Sequence, residues 1–242
     1  MRVLHAWPFA CAAAQRRALI ALLGAVCLIP LVAGCGSQAA LHPALQLGPE
    51  QVEKAEERAK GLIQTGADPS HIFSRLTRDA NVRVSGSVVL RKAAACWPQQ
   101  ELTFEIAQQG DDSNAGMERA AGQALKRLRR EIKFVAFVEM PIGRDPATIT
   151  FAMRTSRDTV EYPPTAVSPP VHLRDLRSAL DPDAPPAALW SYEIWFPIAG
   201  GPGYPPIDES VASLCLVVRD SESAAECWFD LPIATSSGNI GF

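Results

Sequence analysis

No stretch of this 242-residue sequence is long and apolar enough to span a membrane. Its longest uncharged apolar run, Ala18 to Leu31, holds about a dozen residues where a helix needs roughly 20. Aromatic residues are few, at 7%, with three tyrosines in all, so each one has to be placed individually. The signatures of common chemistry are missing too: there is no GxSxG elbow, no HExxH pair, no phosphate loop and no dinucleotide fingerprint. Gly200-Gly201-Pro202-Gly203 is glycine-rich, but no helical pattern follows it that would present amides to a phosphate. No CxxC spacing occurs and His42, His71 and His172 are scattered, which argues against zinc. No cofactor is expected. Asp79, Asp175, Asp181, Asp183 and Asp208 are the acids available for a hydrolytic carboxylate pair or a calcium site, yet scattered carboxylates occur on any acidic surface.

What is present begins at the N-terminus. The basic pair Arg16-Arg17 precedes the short apolar run, and the run closes on Leu31-Val32-Ala33-Gly34-Cys35. This segment resembles the lipobox of bacterial lipoproteins. The resemblance implies cleavage between Gly34 and Cys35, and acylation of Cys35 with lipid, palmitate included. Residues 1–34 then read as a signal peptide and 35–48 as a lipidated tether. Gly36 and Ser37 follow the cysteine with no aspartate beside them, which by the same resemblance favours the outer membrane, periplasmic side, with the cell surface as the other destination. Several acyl chains on one residue exceed the one-chain case of reversible binding, so the anchor should be stable.

Cleavage would remove Arg2, Arg16 and Arg17 but none of the 26 acidic residues, leaving 20 cations and a formal charge of −6. An acidic chain argues against nucleic acid as a partner. Export also places Cys96, Cys215 and Cys227 in an oxidising compartment. Three thiols allow one intramolecular bridge at most. Cys215 and Cys227 flank the turn Asp220-Ser221-Glu222-Ser223, so hairpin proximity favours that pair. A bridge from Cys96 across two sheets to either of them, and no bridge at all, are the alternatives.

The hydrophobic period divides the remaining chain. Residues 49–80 read as helical, with Pro49 opening a helix to about Ile63 and a second short helix expected from Pro69 to Leu76. From there the expected domain is a mainly β, immunoglobulin-like antiparallel sandwich of about seven strands over 81–234, with peripheral helices and a tail at 235–242. Strands are expected at Val82 to Leu90, Leu102 to Ile106, Phe134 to Glu139, Ala147 to Arg154, Leu189 to Pro197, Val211 to Arg219 and Glu226 to Leu231. Lys92 to Gln100 reads as a loop. An inserted amphipathic helix, 112–132, follows from Met117, Ala121, Leu125, Leu128 and Ile132 on one face. Its other face carries Arg119, Lys126, Arg127, Arg129 and Arg130, with Lys133 just beyond. That cluster suits either a solvated helix C-terminus or contact with anionic headgroups or an acidic partner. The proline-rich excursion from Tyr162 to Ala188 is expected to be ordered, with two helical turns over Leu173 to Leu180.

The order "ITFAMRTSRDTVEYPP", a proline loop, "LWSYEIWFP" and "LCLVVRDSESAAECWFDLP" is similar to the second half of telokin-like immunoglobulin-type accessory domains of bacterial lipoproteins, over roughly residues 147–232. That similarity implies a binding or scaffolding domain and supplies no catalytic residues. Trp195 falls on the strand face opposite Tyr192, Ile194 and Phe196. If exposed, it would join Tyr204 and Tyr162, on the glycine and proline loops, as a contact surface. The expectation is a membrane-anchored, non-catalytic binding or assembly accessory of the cell envelope with a protein partner. The alternative is an envelope hydrolase acting on glycan or peptide through paired carboxylates.

Overall fold

The computed structural model describes residues 40–72, 77–109, 113–176, 186–202 and 204–232, so the lipobox, Asp181, Asp183 and the C-terminal tail lie outside the described residues. Strand makes up 42% of the described residues and helix 29%, which makes the protein mainly β. The strands are β1 (Thr77–Ser85), β2 (Val88–Cys96), β3 (Glu131–Pro141), β4 (Thr150–Thr155), β5 (Ala166–Val167), β6 (Val171–Leu176), β7 (Ala187–Pro197), β8 (Ser213–Arg219) and β9 (Ala224–Asp230). All pair antiparallel. The larger sheet runs β1-β2-β3-β7-β5 with β6 on the same edge of β7 as β5, and the smaller runs β4-β8-β9.

The two sheets form a sandwich because both present an apolar face with the period of two that a strand imposes. Ile132, Phe134, Ala136, Val138 and Met140 of β3 meet Leu214, Leu216 and Val218 of β8 in one buried core. Phe134 sits near its centre, edge-on to Phe196 at 5.7 Å and to Phe229 at 5.6 Å.

Three helices form a second apolar cluster on the outer face of the larger sheet: α1 (Pro49–Thr65), α2 (Pro98–Gln108) and α3 (Asn114–Leu128). Helix α1 ends at Gly66, which takes φ +64° while its N–H and that of Ala67 close back on Ile63 and Leu62, a Schellman stop. Helix α3 starts at Ser113, whose Oγ accepts from the Gly116 N–H at 3.1 Å.

Several expectations change. Leu102 to Ile106 is helix α2 and not a strand: Pro98 stands at its first position, Glu101 in its first turn, and Leu102 and Ile106 share a face at the helical spacing just as well as they alternate. Residues 92–96 extend β2 in place of a loop. Of the second short helix only a 3-10 turn, Pro69–Ile72, falls within the described residues. Val171–Leu176 is an edge strand where helical turns were expected from Leu173. Pro169-Pro170 interrupts that edge between β5 and β6, since proline cannot extend a ladder and is tolerated where no partner follows.

The Cys215–Cys227 pairing is also not formed. Cys215 stands opposite Trp228 and Cys227 opposite Leu216, one residue out of register, so their side chains leave opposite faces of the smaller sheet. Cys227 enters the sandwich core, Cys215 packs outside with Ala152 and Val217, and Cys96 is buried on the larger sheet. All three are free thiols. A thiol-alkylating reagent applied to the native protein should therefore leave Cys96, Cys215 and Cys227 unmodified. The same reagent in denaturant without reductant should label all three, and failure to label two of them would reveal a bridge.

Candidate functional site

The aromatic surface expected from sequence does not assemble. Trp195 does lie on the face opposite Tyr192, Ile194 and Phe196, but it is 8% exposed and packs beneath the helices. Its ring is covered by Arg127, whose guanidinium carbon stands 3.6 Å from the ring centroid and whose Nε binds Glu131 at 2.7 Å. Tyr162 belongs to the opposite side of the sheet, wholly buried in the sandwich core, with its hydroxyl donating to the Pro205 carbonyl at 3.0 Å. Tyr204 packs against Tyr162 with centroids 5.2 Å apart. The glycine loop is there for fit: Gly201 lies so close under Tyr204 that a Cβ would come within 2.8 Å of its ring, and Gly200 takes φ +79° with Pro206 equally close.

The scattered carboxylates stay scattered. Asp208 binds Arg157 at 2.9 Å and accepts from Ser210, contacts that hold its carboxyl low. Asp175 pairs with His172 at 2.9 Å on β6, and Asp79 is on β1. No group of three or more His, Cys, Asp or Glu able to hold a metal occurs among the described residues.

Two features that sequence reading missed are better formed. The first is a polar cluster under the helices. Cross-strand register sets Cys96, Lys133 and Trp195 side by side on the outer face of the larger sheet. Lys133, 4% exposed, makes an ion pair with Glu101 of α2, which is fully buried. Its ammonium also faces the rings of Phe104 at 5.5 Å and Trp195 at 5.6 Å. Burial pushes the Glu101 carboxyl up to about 7 even though the Lys133 ammonium holds it down, with Glu105 one turn along the helix raising it further. Burial, and then the Glu101 charge, push the Cys96 thiol well up, which keeps it protonated and inert. A small cavity of about 210 Å³ adjoins Glu101, Glu105, Arg127 and Trp195. Glu101 and Glu105 stand one turn apart on α2, and Glu101 is committed to the Lys133 ammonium. The arrangement serves to join helix to sheet.

The second feature is a groove of about 620 Å³ where the two sheets part along one side of the sandwich. This volume lies within the roughly 300–1,000 Å³ of ligand sites. Ile149 and Phe151 line it from the smaller sheet and Val167 with Pro164, Pro169 and Pro170 from the other, while Tyr192 closes the floor. Tyr192 donates its hydroxyl to the Pro146 carbonyl at 2.9 Å and packs 5.1 Å from Phe151, and burial holds the phenol far above its ordinary value. The other polar side chains of the lining are Thr150 and Ser168, and among the described residues no carboxylate, imidazole or thiol faces it. One strand edge is open here. Met153 exchanges both backbone bonds with Tyr162, at 3.0 and 2.7 Å, across the side of β4 away from β8. Antiparallel alternation then turns the N–H and C=O of Phe151 toward the same edge, beside the groove, where no backbone partner stands among the described residues. No family model, curated protein or solved structure matches the chain.

The buried carboxyl generates a pH dependence with a definite sign. Folded Glu101 holds its proton up to about 7 against an ordinary 4.5, so the folded state binds the proton more tightly and its stability declines as pH rises through that interval. Urea midpoints should fall more between about pH 5 and about pH 8 for the wild type than for Glu101→Gln, which carries a neutral side chain there at both values and lacks the titration. Equal falls in the two proteins would show that Glu101 does not titrate there.

Proposed function

We propose that this protein is a lipid-anchored, periplasm-facing accessory of the cell envelope that binds an extended polypeptide segment in the groove between its sheets and does no chemistry on it. The single observation that carries this reading is the coincidence of an apolar groove with the open edge of β4 at Phe151. A segment laid along that edge would gain main-chain hydrogen bonds from Phe151 and bury alternate side chains against Ile149, Val167 and Tyr192. Prolines on the rim fix its shape before binding, so little ordering entropy is lost, and they cannot themselves close the edge because they lack an N–H. The polar side chains of the lining are hydroxyls, those of Thr150, Ser168 and Tyr192, a set that favours binding over hydrolysis. The anchor part of the proposal rests on the Leu31 to Cys35 lipobox resemblance.

A photoreactive amino acid at Val167, 43% exposed in the groove, tests this in intact cells against the same probe at Val82, 37% exposed on β1. The Val167 probe should capture one envelope protein that the Val82 probe does not. Adding Ala147→Asp, which puts a charge on the exposed apolar wall, should lower the yield about tenfold. Cys35→Ala should release the protein from the membrane fraction once about 0.5 M salt screens surface charge. Equal capture from both probes, or indifference to Ala147→Asp, would refute the groove as the binding site.

A further inference from the structure

The exposed cations of α3 and of the turn after it form one stripe. Arg119 and Lys126, seven apart, share one face of α3, and Arg129 and Arg130 follow in the turn just past its end. All four are exposed and none makes an ion pair among the described residues, whereas Arg127 is engaged with Trp195 and Glu131, and Lys133 with Glu101. Compensation of the helix dipole accounts for Lys126, Arg129 and Arg130 at the C-terminal end. It does not account for Arg119, which stands near the N-terminal end of α3 where the helix field disfavours a cation. Four cations without an ion pair among the described residues, on a chain of net charge −3, make a local surface whose sign opposes that of the whole.

The position of the stripe is fixed by a relay of backbone hydrogen bonds. Arg130 O accepts from Ile198 N at 2.8 Å, Ile198 O from Ile207 N at 3.0 Å, and Ile207 O from His42 N at 2.8 Å. Three such steps at about 4.8 Å each put the end of the stripe within about 14 Å of His42. Leu41, beside it, is bridged to Asp208. Five residues separate Leu41 from Cys35, and the six steps between them span at most about 22 Å when extended. Cys35 is thus tethered through Leu41 to the end of the domain that carries Lys126, Arg129 and Arg130.

We propose that Arg119, Lys126, Arg129 and Arg130 dock on the anionic phospholipid headgroups of the membrane that holds Cys35. The inference rests on the reading that Cys35 is acylated, and its role is orientation, since the acyl chains already provide retention. Tyr192, at the floor of the groove, is six residues along β7 from Ile198, about 20 Å of strand, so docking by the stripe holds the groove off the membrane.

Sedimentation of the mature chain, made without acylation as Cys35→Ser, with vesicles tests the headgroup contact apart from the anchor. Binding is expected to vesicles of phosphatidylcholine containing about a third phosphatidylglycerol, and not to phosphatidylcholine alone. It should be lost at about 0.5 M salt, where charges are screened. Each cation near an anionic surface strengthens binding about fivefold, so changing all four to Gln should weaken it on the order of several hundredfold. Changing the exposed Arg58 and Lys60 of α1 to Gln should leave it intact. Binding to neither vesicle, equal binding to both, or equal loss in the α1 variant overturns the proposal. The acyl mass on native Cys35 is read separately: a lipidated Cys35 with no headgroup binding sinks the stripe alone, and headgroup binding with an unmodified Cys35 sinks the anchor alone.

Discussion

A lysine on a sheet face that is covered by helices requires an acid, and that requirement organises one whole side of this protein. Lys133 is placed there by alternation, because Ile132 and Phe134 on either side of it must point into the sandwich. Desolvating its ammonium is costly unless a carboxylate meets it. Glu101 does so from α2, and the Trp195 ring lies alongside under Arg127. Removing either ionised partner would leave the other buried and uncompensated, at a cost of about 3–5 kcal/mol. Helix α2 is therefore fixed to β3 by charge as well as by the packing of Leu102 and Ile106, and α1 and α3 pack against it in the same apolar cluster.

With that side closed, the larger sheet is covered on both faces near β2 and β3, and the exposed part of the sandwich lies along the β5–β6 edge. There the chain uses proline to limit a free edge, and the same prolines rim the groove. The groove and the cationic stripe then stand in a defined relation, since β7 carries Tyr192 in its middle and leads into Ile198 at the end where the chain enters at Leu41. In the proposed arrangement the stripe and the lipid share that end, while the groove is offered to a partner farther from the membrane.

The sandwich was legible in the sequence because strands with one buried face alternate plainly, as at Ile149, Phe151 and Met153 or Tyr192, Ile194 and Phe196. Leu102, Phe104 and Ile106 misled for a physical reason: a run that short satisfies period two and period 3.6 alike, and the Pro98 start signal was the evidence that decides it. The disulfide expectation failed on register, which residue spacing across a hairpin does not reveal. Trp195 was placed on the correct face, but whether helices cover that face is a tertiary fact. The Glu101–Lys133 pair joins residues far apart in the chain, and Lys133 read only as the last of a run of surface cations. The groove was hidden for a similar reason, because its walls come from β4, β7 and the proline edge, and no single segment carries its signature.

Native-state hydrogen exchange would test the central claim, that the buried pair makes helices and sandwich one cooperative structure, most directly. The account predicts that the interior amides of α2 exchange with the same opening free energy as those of β3, and that Lys133→Ala lowers both together. Helix α2 opening well before β3 in the wild type, or responding alone to Lys133→Ala, would contradict it and make the helical layer an appendage on an independently stable sandwich.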